Sequence, residues 1–132
     1  MSELIDTQPD ARLADVQVGP ISRSMLALYA GASGDHNRIH IDQDFALAAG
    51  LPDVIAQGML PFGVLAQVVT RWAGIQRLRG ISARFVSMTR VHDVITCSGT
   101  VIERFEADGE TRVRALESVL CAEHASLPCT TF

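Results

Sequence analysis

The chain has 132 residues, 48% of them apolar, and a formal net charge of -4. That length suits one domain with its own core, small enough that pairing with a second subunit would help to bury surface. The weak acidic balance gives no field that would draw nucleic acid or an anionic membrane, so neither is expected as a partner.

All the basic side chains are arginine, and these stay usable for phosphate contacts. Cys97, Cys121 and Cys129 are odd in number and lack metal-type spacing, as expected of reduced thiols in a cytoplasmic protein. The N-terminus, Met-Ser-Glu-Leu-Ile-Asp, is acidic and lacks the basic-then-apolar order of an export signal. The most apolar run, Met59 to Val69, is about half of the roughly 20 residues that cross a bilayer. A soluble protein is the reading.

Residues 1–15 are polar and unpatterned, which predicts a flexible lead-in before a single domain over residues 16–132. Val16 to Val18 reads as a short edge strand, stopped by Gly19-Pro20. Ser22 is a candidate N-cap, and Met25, Leu26 and Tyr29 share one stripe of a short helix that runs to about Ala30 and is terminated by Gly31 and Gly34. A second short helix is expected from Asp42 to Gly50.

From Gly58 to about Trp72 the chain is apolar almost all round, which predicts one long buried helix. Pro61 falls in its first turn, where a missing N–H costs least. The texture then turns period-two and β-branched over Ile81 to Met88, Val94 to Phe105 and Arg112 to Cys121, which predicts three strands. Asp108-Gly109 marks a hairpin between the last two. The tail from Glu123 to Phe132 is a poor strand with a proline inside it. The sum is an α+β domain whose antiparallel sheet curls around the long helix, with a free edge available for dimerisation.

Chemistry concentrates between Tyr29 and His40, where an acid, an amide and two imidazoles follow a broken helix. In a turn, Asp35 and His40 can converge on one water, the carboxylate orienting it and the imidazole exchanging a proton near neutral pH. The same residue types also serve plain turn chemistry, with Asp35 and Asn37 accepting from nearby backbone N–H groups. Residue types alone leave both open. A metal site is not expected: His36 and His40 have suitable spacing, but the Glu of a zinc protease and the glycine of a calcium loop are missing.

The second feature is Ala56-Gln57-Gly58-Met59-Leu60, which opens the long helix on a glycine. Unpaired N–H groups and the positive end of the helix dipole meet there. The Gly58 N–H could polarise a carbonyl and hold enolate charge, a contribution of about 3 kcal/mol; alternatively Gly58 only lets the chain turn into the helix. His92 and His124 read as solvated, and Cys97 and Cys121 as core thiols.

Taken together, the stretch from Tyr29 to Asp42 and the stretch from Ala56 to Leu60 resemble the MaoC-like dehydratases, R-specific enoyl-thioester hydratases with a hot-dog fold. The likeness runs from about Val16 to Cys121 and rests on a Gly-Asp-x-Asn-Pro-x-His-type signature joined to Gly-Met-Leu at a helix start. It implies Asp35, His40 and Gly58 as catalytic residues, with Asn37, Arg38, Gln57 and Met59 against the substrate. It also implies water addition to a trans-2-enoyl-CoA or acyl-carrier-protein thioester, no cofactor, no metal and a homodimer. A catalytically idle subunit of a heteromeric hydratase and an acyl-CoA thioesterase are the alternatives. Three departures stand out: Arg38 replaces the usual proline, Gln57 replaces a common histidine, and Ala66 stands where some members carry a serine that hydrogen-bonds the aspartate. The irregular tail leaves the final strand of the fold in doubt.

Overall fold

The computed structural model describes residues 5–121. Within them, β1 (Arg12–Val18), β2 (Ile95–Ala107) and β3 (Glu110–Cys121) form one antiparallel sheet in the order β1-β2-β3. The helices are α1 (Arg23–Ser33), α2 (Gln43–Ala48) and α3 (Met59–Ala73), with short 3-10 turns at Arg38–His40 and Ile75–Arg77. No helix among the described residues is long and apolar enough to cross a membrane.

The sheet follows from its alternation. From Ile95 to Val101 every second residue of β2 is buried, so Ile95, Cys97, Gly99 and Val101 point into the core. Gly99 is needed there, because a Cβ would stand 3.1 Å from Leu13 of β1 and 3.3 Å from both Val68 of α3 and Glu117 of β3. Its absence lets α3 lie close on the sheet. β2 and β3 are joined through Asp108 and Gly109, both with positive φ, as a tight two-residue hairpin requires.

On the other layer, α3 buries Leu60, Pro61, Val64, Leu65 and Val68 against the sheet, each large side chain contributing about 1.5–3 kcal/mol. The opposite side of this helix is less covered than its apolar sequence suggested, with Met59 54% exposed. At α1, Ser22 caps the N-terminus by accepting from the Met25 N–H at 3.1 Å. Asp42 does the same for α2, accepting from Phe45 at 3.0 Å.

Three expectations are corrected. Residues 12–15, expected in a flexible lead-in, belong to β1, and Asp10 already donates to the Val101 carbonyl at 2.8 Å. Burial begins at Leu13, ahead of the apolar run that drew attention to Val16, and an irregularity in register between the two lets both face the core although they are three residues apart. The helix α1 passes through Gly31 and stops only at Gly34, which takes the left-handed conformation and donates to the Ala30 carbonyl at 3.0 Å.

The third correction is that Ile81 to Met88 forms no strand among the described residues. Alternation needs a partner to become a ladder, and here Ile81, Phe85, Val86 and Met88 remain exposed. The nearest backbone pairing is an isolated bridge between Ile55 and Arg90. The expectations for His124, Cys129 and the tail from Glu123 lie outside the described residues.

Candidate active site

Once Gly34 has ended α1, the chain descends through three successive side-chain-capped turns. Ser33 Oγ accepts from the Asp35 N–H at 3.2 Å, Asp35 Oδ1 from the Asn37 N–H at 3.3 Å, and Asn37 Oδ1 from the Ile39 N–H at 3.2 Å. Short polar side chains favour this local bonding. The turn-forming role is therefore present, but it occupies only one oxygen of Asp35. The other, Oδ2, lies 3.6 Å from His40 Nε2.

His40 is buried at 7% exposure. Its Nδ1 sits 2.7 Å from the Ile55 carbonyl oxygen. A carbonyl can only accept, so Nδ1 donates to Ile55 and Nε2 is the nitrogen turned toward Asp35. The 3.6 Å between Nε2 and Oδ2 is too long for a direct hydrogen bond and is a separation that one bridging water would span.

The segment leading to α3 is stitched to this loop. Ile55 donates to the Ile39 carbonyl at 3.2 Å while its own carbonyl holds His40, and Ala56 donates to Thr89 at 2.9 Å on the far side. Three residues later comes Gly58, at most about 10 Å of extended chain from Ile55. Gly58 is exposed, and no side chain caps the helix that starts there. A Cβ on Gly58 would meet the Phe85 ring at 3.4 Å, so one wall beside the open helix start is aromatic.

With this geometry in hand, comparison with known proteins is direct. A family model described as a MaoC like domain matches residues 4–120. The chain belongs to the MaoC-like family. Fatty acid synthase subunit beta of Saccharomyces cerevisiae is 32% identical to it over 115 residues, 79% of this chain and 6% of that protein. The (R)-specific enoyl-CoA hydratase of Rhodospirillum rubrum is 35% identical over 83 residues, 61% of this chain and 58% of that enzyme. The chain thus spans less than two thirds of these relatives' length.

Among solved structures, R-hydratase PhaJ1 from Pseudomonas aeruginosa superposes with a TM-score of 0.79 at 24% identity, covering 94% of this chain and 77% of that one. The ChsH1-ChsH2 complex from Mycobacterium tuberculosis gives 0.77 at 23% identity, covering 95% and 93%. At such identities the likeness shows the fold, and the fold is the hot-dog expected from the resemblance.

The remaining expected residues of this MaoC-like domain fall differently. Asn37 orders the loop. Arg38 turns away to Asp42, with Nη2 2.6 Å from Oδ2, and lies 4.4 Å from the Phe45 ring centroid. That bond holds the Asp42 carboxyl below its ordinary range. Gln57, expected against the substrate, is fully buried and donates through Nε2 to the Leu26 carbonyl of α1 at 3.2 Å. Met59 is exposed on the first turn of α3. Among the described residues no group of three metal-ligating side chains occurs.

One residue escaped the sequence reading. Glu117 is 3% exposed on the inward face of β3, and burial pushes its carboxyl up to about 7. Its signal was a charge in register with Val113, Ala115, Val119 and Cys121 on an otherwise apolar face. Burial likewise pushes the Cys97 thiol up to about 12, in keeping with an inert core thiol.

Proposed function

We propose that this MaoC-like domain is a hydro-lyase that adds water to the double bond of a trans-2-enoyl thioester, and removes it in reverse. The observation that carries this is the pairing of Asp35 Oδ2 with His40 Nε2 at 3.6 Å, together with the Ile55 carbonyl that fixes the proton on Nδ1. In this reading a water held between the two gives up a proton to the pair as its oxygen bonds to C3 of the enoyl group. The C2=C3 electrons move toward the thioester oxygen, which the Gly58 N–H and the positive end of α3 stabilise. The pair then delivers a proton to C2, so the sum is one water added and no change of oxidation state.

The (R)-specific enoyl-CoA hydratase relative supports a CoA thioester as the carrier, and the fatty acid synthase relative an acyl-carrier-protein thioester. Pairing of two copies is supported by the exposed apolar side chains of Ile81, Phe85, Val86 and Met88. Light scattering on the purified chain checks it, a single-chain mass counting against it.

Crotonyl-CoA separates the reaction classes. A hydratase bleaches the enoyl absorbance and releases no thiol. Thiol release would make the chain a thioesterase, and inertness toward short and long enoyl thioesters carried by either CoA or acyl-carrier protein would make it an idle subunit.

A further inference from the structure

Gln57 is fully buried, yet the fold satisfies only one end of its amide. Nε2 donates to the Leu26 carbonyl at 3.2 Å, which fixes the orientation of the group, since the oxygen could not face another acceptor. Oε1 is left buried with no hydrogen-bond donor among the described residues. Nor does Leu26 need the bond. It lies inside α1, where its carbonyl already has the Ala30 N–H as the helix's own partner. A buried amide oxygen without a donor works against folding, and so does holding a long side chain still for one bond to an acceptor already served. Methionine, of similar length and shape, would fill the position without either loss. Packing therefore does not account for a glutamine here.

What the bond does is geometric. The segment from Asp53 to Gln57 is fastened to α1 at both ends: Asp53 pairs with Arg23 in the first turn, and Gln57 reaches Leu26 about one turn on. Between these ties, Ile55 holds His40 through its carbonyl and the Ile39 carbonyl through its N–H. The helix α1 itself ends at Gly34 and so carries Asp35. The Arg23–Asp53 pair is partly exposed and restrains weakly in water. Gln57 is the buried tie, and it is the one beside Gly58.

The peptide joining Gln57 to Gly58 is held from its other side as well. Its carbonyl accepts from the Leu60 N–H at 3.0 Å, in the first turn of α3. A trans peptide points its N–H opposite to its carbonyl, so the Gly58 N–H is turned outward from the helix start, which no side chain caps.

We propose that Gln57 is a positioning residue: by fastening the residue before Gly58 to the helix that carries Asp35, it holds the Gly58 N–H on the thioester oxygen in step with the Asp35–His40 pair. The inference rests on the hydratase reading above and adds to it a residue that does not touch substrate. Without the tie the helix still starts, but its first peptide plane is free to tilt, and a tilted donor stabilises developing negative charge less well. The loss falls on turnover more than on binding, because the charge on that oxygen is largest in the transition state.

The test uses Gln57→Met and Gln57→Leu, which remove the donor, and Gln57→His, whose ring Nε2 stands as many bonds from the backbone as the glutamine Nε2 and can donate to Leu26. In crotonyl-CoA hydration the Met and Leu variants should lose at least about tenfold in kcat, with KM changed by less than about threefold and a urea midpoint no lower than that of the wild type. Gln57→His should recover to within about threefold of the wild-type kcat. The infrared stretch of carbonyl-labelled butyryl-CoA reads the same donor without turnover. Bound to the wild type, the thioester carbonyl should shift to lower frequency, and most of that shift should be lost in Gln57→Met.

An unchanged carbonyl shift in Gln57→Met overturns the inference, as does an unchanged kcat in that variant of an active enzyme. So does a lowered urea midpoint in both the Met and Leu variants, or a folded Gln57→His as impaired as they are, since either would make the glutamine a packing residue. A wild type that hydrates no enoyl thioester, with the carbonyl shift present and lost in Gln57→Met, would overturn the hydratase reading alone.

Discussion

Glu117 offers a perturbation whose size can be worked out without reference to catalysis. Its carboxyl is 3% exposed and packs at the level of Val68 on α3, and burial raises it from 4.5 to about 7. Between those values the folded chain keeps a proton that the unfolded chain has released. The contribution of Glu117 to stability therefore falls as pH rises from about 4.5 to about 7, and this one contribution is flat on either side. At 1.36 kcal/mol per unit the full difference would be about 3 kcal/mol, and a discount for solvent screening through the open cavity that Glu117 lines brings it to about 2 kcal/mol. Glu117→Gln keeps the shape and removes the ionisation. Urea unfolding followed through Trp72, the one tryptophan, should give the variant a stability near that of the wild type at pH 5 and about 2 kcal/mol more at pH 8. A difference that does not change between these pH values would refute the reasoning.

Other outcomes follow from the packing. Gly99→Ala forces a methyl to within 3.1 Å of Leu13 and should cost about 1–3 kcal/mol in the same unfolding assay. Ser22→Ala removes the acceptor for the Met25 N–H and should cost about 1 kcal/mol; no loss would mean that water or Ser24 takes over the cap. Arg38→Ala should change the Michaelis constant for crotonyl-CoA less than about threefold, because the guanidinium is engaged by Asp42 and Phe45. A larger rise would restore Arg38 as a substrate contact.

Features fixed by neighbours in sequence were the legible ones. Ser22 and Asp42 cap helices because a short acceptor sits three residues before the N–H it serves, and Asp108-Gly109 turns because both positions tolerate positive φ. Relations between distant segments were not legible. Ile81 to Met88 has the same alternation as β2, yet nothing in its own residues says which backbone would pair with it. Gln57 stands beside Gly58 in the chain and so looked like a substrate contact, but its amide reaches α1. Arg38 was expected against the substrate because Asp42 and Phe45 converge on it only once the 3-10 turn and α2 have formed. The Asp35–His40 pair was found from residue type and spacing. What sequence could not supply is Ile55, whose carbonyl, fifteen residues beyond His40, accepts from Nδ1 and so orients the ring toward Asp35.

The central claim is that these two side chains share one reacting water. It is tested most directly by the initial rate of enoyl absorbance loss in Asp35→Asn and His40→Ala, with circular dichroism checking that each variant is folded. The account predicts that each variant loses at least about a thousandfold in turnover while keeping the wild-type spectrum. A folded variant of either kind that hydrates within a few fold of the wild-type rate would contradict it.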